Sequence, residues 1–356
     1  MKNIINKLFV LIIILINVFL LITFIVCKKE DFSSEENRYL TEFKLNNISE
    51  YVSDHFPFRN KLIALKNNFS KGIGKTKISN IYLGKDDYLL PEFSNIDNKK
   101  KDILIETINE FSKDKNVDLI FAPDSIAINE DKINMMIGSD EEKEIEYLYS
   151  KLNTNNINLI DNFKKINERE PLYYKTDHHW NSYGAYYAYK IYMESKNKDY
   201  LPIESFKKNK VSDEFLGTSS SVVYGLAKKE NMYTFEYPSD LEVNYIIENK
   251  ITNSLYNYDY LNKKDKYAMF LDNNHAYIKI TNSLVDNNDS IIIIKNSYAN
   301  SFVPFIVNNY HDVYVIDLRY YALSVSELIE ENAIKDILIL YNLNNLYSDL
   351  SIVKLK

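Results

Sequence analysis

The chain has 356 residues, 46% of them hydrophobic and 26% charged, enough for one large domain or two modest ones with a real core. Seven Gly and seven Pro exclude collagen-like repeats and Pro-rich linkers. A formal net charge of −7 argues against generic nucleic-acid binding, which needs clustered positive charge, and a single Cys excludes a disulfide framework or a Cys-rich zinc module.

The first predicted element is a membrane span. Leu8 to Cys27 carries no charge and only Asn17 and Thr23 as polar interruptions. About 20 such residues, at about 1.5 Å each, cross a hydrocarbon core of about 30 Å. Lys2 and Lys7 precede the run and Lys28 and Lys29 follow it, so the charge bias orients it weakly. The reading is a signal-anchor over residues 1–30, with the body on the extracytoplasmic side of the cell membrane. Ile25-Val26-Cys27 lacks the small residues that cleavage prefers, which argues against a removed signal peptide and against a lipidated Cys27. Residues 31–99 read as a stalk and connecting region. It holds a helix near Lys61 to Phe69 and two short strands about a Gly-containing turn between Ile81 and Leu90.

From residue 100 onward helices and strands alternate. A helix over Lys100 to Lys113 leads to a strand over Val117 to Ala122, then a helix over Glu141 to Leu152 and a strand over Ile157 to Ile160. A Tyr- and Ala-rich helix follows over Ser182 to Lys196. Residues of about 200–290 are less regular and read as a β-rich insertion. Ile291 to Ile294, apolar on both faces, reads as a central parallel strand. A helix (Ala299 to Asn309), a strand (Val313 to Leu318), a helix (Ser324 to Asn332) and a strand (Asp336 to Tyr341) complete the pattern. The expected fold of residues 100–356 is α/β, a parallel sheet flanked by helices with right-handed crossovers. Function then gathers at the carboxyl ends of the strands.

Two segments at such ends carry chemistry. The loop Lys175 to Tyr186 holds Asp177, His178, His179 and the only Trp, Trp180. An Asp two residues before a His can turn its carboxylate to the His Nδ1–H, fixing the tautomer of a general base; Asp177 with His179 is the preferred pair, with His178 pointing elsewhere. The alternatives are a helix-capping polar cluster, or a metal site, for which zinc would need a third ligand while His55, His275 and His311 are scattered. In the second segment a buried strand ends and a helix begins at Ser297. A hydroxyl there stands clear of the sheet, with free helix N–H groups behind it for a developing oxyanion. The alternative is an ordinary capping Ser. A Ser at this junction and an Asp-x-His loop in one α/β chain supply nucleophile, base and orienter.

Together these residues resemble the bacterial DHHW family and the wider group of exported SGNH-hydrolase-like proteins of polysaccharide O-acetylation. The motifs that carry the likeness include E-N-R-Y-L (36–40), D-H-F-P-F-R (54–59), T-D-H-H-W (176–180), F-L-G-T (215–218), D-K-Y-A-M-F-L (265–271), N-S-Y-A-N-S-F-V-P-F (296–305) and D-L-R-Y-Y (317–321). The resemblance implies a flavodoxin-like fold and a triad of Asp177, His179 and Ser297. It also implies a side-chain oxyanion donor at Asn274, with Arg319 near the site or in a structural ion pair. Two departures stand out: Asn296 where the family commonly has Asp, and Asp272 and Asn273 where it commonly has Gly.

The reading is therefore a membrane-anchored serine enzyme, an O-acetyltransferase or acetylesterase on a cell-envelope or extracellular polysaccharide. Trp180 and nearby Tyr residues either stack on sugar or pack. No metal or soluble cofactor is required, and by family analogy a transferase would be fed by a multi-spanning membrane acyltransferase. The rival readings are a non-catalytic polysaccharide-binding or assembly protein of the same fold, and a DHH-type metal phosphoesterase using Asp177, His178 and His179.

Overall fold

The apolar run at the N-terminus forms one helix, α1 (Lys2–Val26), whose side chains from Ile4 to Phe19 are all exposed. Ile4–Val26 is long and apolar enough to cross a membrane, the one such helix among the described residues. Its two polar interruptions are satisfied within the helix, Asn17 Nδ2 and Thr23 Oγ1 each donating to a carbonyl four residues back at 2.8 Å, as a lipid environment demands. The computed structural model describes residues 2–26, 29–33, 38–94, 97–133 and 140–355. Cys27, and Glu36 and Asn37 at the start of the E-N-R-Y-L motif, lie outside the described residues.

The chain divides into two units, Met1–Lys75 with Val223–Leu226, and Thr76–Val222 with Ala227–Lys356. The first holds α1, α2 (Ile48–Asp54) and α3 (Arg59–Gly72). Two of its motifs meet here. Arg38 forks onto Asp54 at 2.9 and 2.6 Å, and Thr41 donates to the same carboxylate through its N–H and hydroxyl. The Arg38 hydrogen bonds hold the Asp54 carboxyl well below the usual range, against its burial.

The second unit is built on an eight-stranded sheet of β1 (Val117–Ala122), β2 (Asn155–Asn156), β3 (Leu241–Tyr245), β4 (Lys250–Thr252), β5 (Tyr277–Asn282), β6 (Ser290–Lys295), β7 (Asp312–Ile316) and β8 (Asp336–Asn342). Their order is β4-β3-β5-β7-β6-β8-β1-β2. The half from β7 to β2 is parallel. The half from β4 to β7 is antiparallel, so the sheet is mixed rather than parallel throughout. The burial of each half explains the difference. In β6 every residue is buried, and Ile291 to Ile294 are completely so, each contributing roughly 1.5–3 kcal/mol of hydrophobic burial. In β5, buried Ile278, Ile280 and Asn282 alternate with half-exposed Tyr277, Lys279 and Thr281, the period of a sheet wetted on one face.

Three strands from the irregular 200–290 stretch thus join the main sheet, while Lys207–Phe215 and Glu230–Glu236 form a separate hairpin. The strand expected at Ile157 to Ile160 is displaced: β2 ends at Asn156, and Ile160 opens a helix, Ile160–Asn167. Helices α4 (Asn98–Phe111), α5 (Ser182–Ser195) and α6 (Ala299–Ile306) close on the layer, α5 and α6 meeting through Tyr186 and Phe305 with ring centroids 5.5 Å apart.

Candidate active site

The turn between β6 and α6 presents Ser297. Lys295 ends the strand fully buried, Asn296 is fully buried after it, and Ser297 is half-exposed at the surface. The turn is held from below. Asn296 Oδ1 accepts the Tyr298 N–H at 3.2 Å, and Asn296 Nδ2 donates to Asn342 Oδ1, at the end of β8, at 2.6 Å. An Asp at 296 could make the first bond but not the second, which accounts for Asn in this chain.

The loop before α5 brings the imidazole to this hydroxyl. Glu230 fastens the loop by accepting from Lys175 N (3.0 Å), Thr176 N (2.9 Å) and Thr176 Oγ1 (2.6 Å). Asn181 caps the following helix, its Oδ1 accepting the N–H groups of Tyr183 and Gly184. Between these fixed points Asp177 Oδ1 lies 2.6 Å from His179 Nδ1, and His179 Nε2 lies 2.8 Å from Ser297 Oγ. The network sets the tautomer: Nδ1–H donates to the carboxylate and Nε2 accepts from the hydroxyl. The other carboxylate oxygen of Asp177 accepts the Thr218 N–H at 2.7 Å and its hydroxyl at 3.1 Å. Burial alone would raise the Asp177 carboxyl, but the two imidazoles and the hydrogen bonds from the His179 ring and N–H outweigh it and hold it well below the carboxylate range. Tyr267 lies flat on the His179 ring, centroids 3.8 Å apart and planes 8° off parallel, and donates to Ser297 O at 3.1 Å.

Asn274 enters from the loop before β5. Its Oδ1 accepts from Lys295 Nζ at 2.9 Å and Asn300 Nδ2 at 3.3 Å, two residues that flank Ser297 in the chain. Its amide NH2 donates to Asn273 Oδ1 at 3.1 Å. The approach is strained: Leu271, Asp272 and Asn273 have φ of 53°, 54° and 81°. Asp272 and Asn273 thus occupy the left-handed conformation for which Gly is the usual residue.

Beneath Asn274, Lys295 is buried with Asn300 Oδ1 at 2.8 Å and Asp317 Oδ2 at 3.4 Å. Burial pushes its amine down to about 8, against the pull of Asp317. Arg319 is occupied by the same carboxylate, its Nε at 2.9 Å from Asp317 Oδ1 and its NH2 group at 2.5 Å from Oδ2. Arg319 therefore belongs to an ion pair below the site.

Trp180 offers no face to a sugar. It is completely buried, and its Nε1 donates to Tyr298 O and Ser301 Oγ, both at 3.0 Å. The His178 ring lies against that of His179, centroids 3.8 Å apart and planes tilted by 37°, and its Nδ1 lies 2.8 Å from Thr218 Oγ1. Burial and the His179 imidazole push His178 down, toward the neutral form. Its ring forms part of the wall of a cavity of about 560 Å3, together with Thr218, Asp124, Asn342, Asn344 and Asn345. Asp177, His178 and His179 also place one ligand atom each within 4.8 Å of one another, a donor set that a metal ion would fit. Both nitrogens of His179 are already engaged by Asp177 and Ser297, so a metal there would have to break that chain.

Asp177, His179 and Ser297 thus come together, Asn274 approaches them through Lys295 and Asn300, and Arg319 and Trp180 support from below. Sequence reasoning missed Lys295, Tyr267 and Glu230. Lys295, a charge closing an apolar strand, and Tyr267, inside the D-K-Y-A-M-F-L motif, were visible in outline; Glu230 sits on an ordinary alternating strand with no local mark.

No curated protein matches the sequence significantly. Solved structures do match in fold. A DHHW family protein from Eubacterium siraeum aligns with a TM-score of 0.65 at 20% identity, over 77% of this chain and 93% of the other. Bacillus cereus PatB1, solved with a sulfonyl adduct, aligns with a TM-score of 0.64 at 20% identity, over 78% of this chain and 99% of the other. At such identity the likeness is one of fold. The DHHW protein family profile, however, matches residues 61–316, and with that span the chain belongs to the DHHW family.

Proposed function

We propose that this chain is a membrane-anchored serine acyl-ester enzyme of SGNH-like, flavodoxin-like fold, with its body on the extracytoplasmic side, which transfers or hydrolyses O-acetyl groups on a cell-envelope or extracellular polysaccharide. The observation that carries the proposal is the continuous chain Ser297 Oγ–His179 Nε2 (2.8 Å) and His179 Nδ1–Asp177 Oδ1 (2.6 Å), within the reach a nucleophile and its base require.

In this reading His179 Nε2 takes the Ser297 proton as Oγ attacks the acetyl carbonyl. The tetrahedral oxyanion is met by the Asn274 amide and the Ser297 N–H. Its collapse expels the donor alkoxide, which leaves with the proton from His179, and acetyl remains on Ser297. A sugar hydroxyl, or water in the esterase case, then gives its proton to His179 and attacks the acetyl-serine; collapse of this second tetrahedral oxyanion breaks the bond to Ser297 Oγ, which takes the proton back from His179. Asp177 stabilises the imidazolium in both steps. The cavity beside His178 and Thr218, whose lining mixes amide and hydroxyl groups with the carboxylates of Glu92, Asp97 and Asp124, suits the acceptor glycan. In the transferase case the acetyl group reaches Ser297 from a multi-spanning membrane acyltransferase.

Labelling of the full chain with a fluorophosphonate or sulfonyl fluoride tests the proposal. An adduct on Ser297 that disappears in His179→Ala supports it. No adduct together with no acetyl-ester turnover favours a binding role on the same fold. The clustered donors of Asp177, His178 and His179 favour one second reading, a metal-dependent phosphoesterase. Phosphoester hydrolysis abolished by a chelator would establish that reading instead.

A further inference from the structure

We propose that α3 lies on the bilayer surface as an amphipathic helix, with its apolar stripe immersed at the level of the lipid headgroups. The helix is inverted relative to one on a soluble body. The side chains it buries are Asn67 and Ser70. Asn67 Nδ2 donates to Tyr224 O at 3.1 Å, and Gly225 comes so near that a Cβ there would stand 2.6 Å from that of Ala64. The other face exposes Leu62 (44%), Leu65 (68%) and Phe69 (68%), with Ile73 (61%) just past the last turn. At about 100° per residue these four share one arc, opposite the buried side. Exposed Lys61 and Lys66 border the arc on its two sides, and the helix has three Lys, one Arg and no acidic residue. An apolar stripe between snorkelling lysines is the pattern of a helix lying in the membrane interface.

Continuity with the anchor selects lipid as the occupant. Within the same unit, Tyr51 of α2 meets Phe24 near the end of α1 with ring centroids 6.3 Å apart, and His55 Nε2 lies 3.1 Å from the Glu30 carbonyl. α3 begins at Arg59, one tight turn after α2 ends at Asp54. A basic, apolar face tethered so close to a membrane-spanning helix meets headgroups at high effective concentration, and anionic headgroups complement its charge.

The test uses the full chain in lipid nanodiscs, with Cys27→Ser to remove the native thiol and nitroxide labels introduced by Leu65→Cys, Phe69→Cys or Lys71→Cys. In discs of phosphatidylcholine with phosphatidylglycerol, the ratio of oxygen to nickel-chelate collisions is expected to be higher at 65 and 69 than at 71. Lys61→Glu with Lys66→Glu is expected to lower that ratio at 65 and 69. Water-like ratios at all three positions overturn the proposal. So does shielding of 65 and 69 from both reagents, which would mean that protein covers the stripe. The labelled positions are exposed, so their substitution leaves the packed face of α3 untouched.

Discussion

Gly217 has no room for a side chain, because a Cβ there would lie 2.2 Å from both Cβ and Oδ2 of Asp177. Gly217→Ala is therefore expected to push Asp177 away from His179 and to slow labelling of Ser297 nearly as much as Asp177→Ala does, with little change in far-UV circular dichroism. Asp177→Asn keeps the shape but turns an NH2 toward either Thr218 or His179, where only an acceptor fits; loss of the correct tautomer predicts a fall in turnover of about 10⁴-fold. The depressed pKa of Asp177 also has a thermal signature. Its contribution to stability is complete above the unfolded carboxyl value of about 4 and is lost as pH falls further. The gap in Tm between the natural chain and Asp177→Asn should accordingly narrow below about pH 4. Lys295 gives a slope of the same sign in an alkaline window. Between its folded value of about 8 and the ordinary 10.5, the unfolded chain holds a proton that the folded one has released, so stability from this group rises with pH across that window. Lys295→Met should remove that slope from a series of denaturant titrations at increasing pH.

At the scale of elements, the central strands were legible because burial wrote them into the sequence twice, as unbroken apolar runs and as the helical periods between them. β1 spans Val117–Ala122 as expected, and β6 with its four Ile sits between two parallel neighbours. The antiparallel half was not legible. β3 and β5 bury one face only, and in a chain with 30 Tyr an aromatic–polar alternation marks turns and strands alike. The Ser297 turn could be placed from its strand–helix junction, and the Asp177–His179 pair from its spacing of two. The braces could not, since Glu230 and Thr218 lie 54 and 41 residues from the groups they hold. The Asn296–Asn342 pair ties the turn to β8. Asn296→Asp sets two acceptors against each other at a separation of 2.6 Å in a buried place. We expect it to cost about 1–3 kcal/mol, or more if the new carboxyl is charged, in urea unfolding.

At the scale of the whole molecule, one apolar helix and a body with an Asp–His–Ser chain imply opposite solvents for the two parts of the polypeptide. If the body is extracytoplasmic, alkaline phosphatase fused after Lys356 will be active in intact cells, and a cytoplasmic body will leave the fusion inactive. The spacing of the reactive side chains bears on how such a chain travels. His179 and Ser297 are separated by 118 residues, and the loop that carries the imidazole is fastened by a residue on a later hairpin. Contacts of this range close late in folding. On the proposed topology, the serine of a polypeptide still being threaded through a translocation channel would be an ordinary alcohol, with no imidazole beside it. On the proposed function, competence would arrive only with the docking of distant segments, so latency before folding would follow from the topology itself.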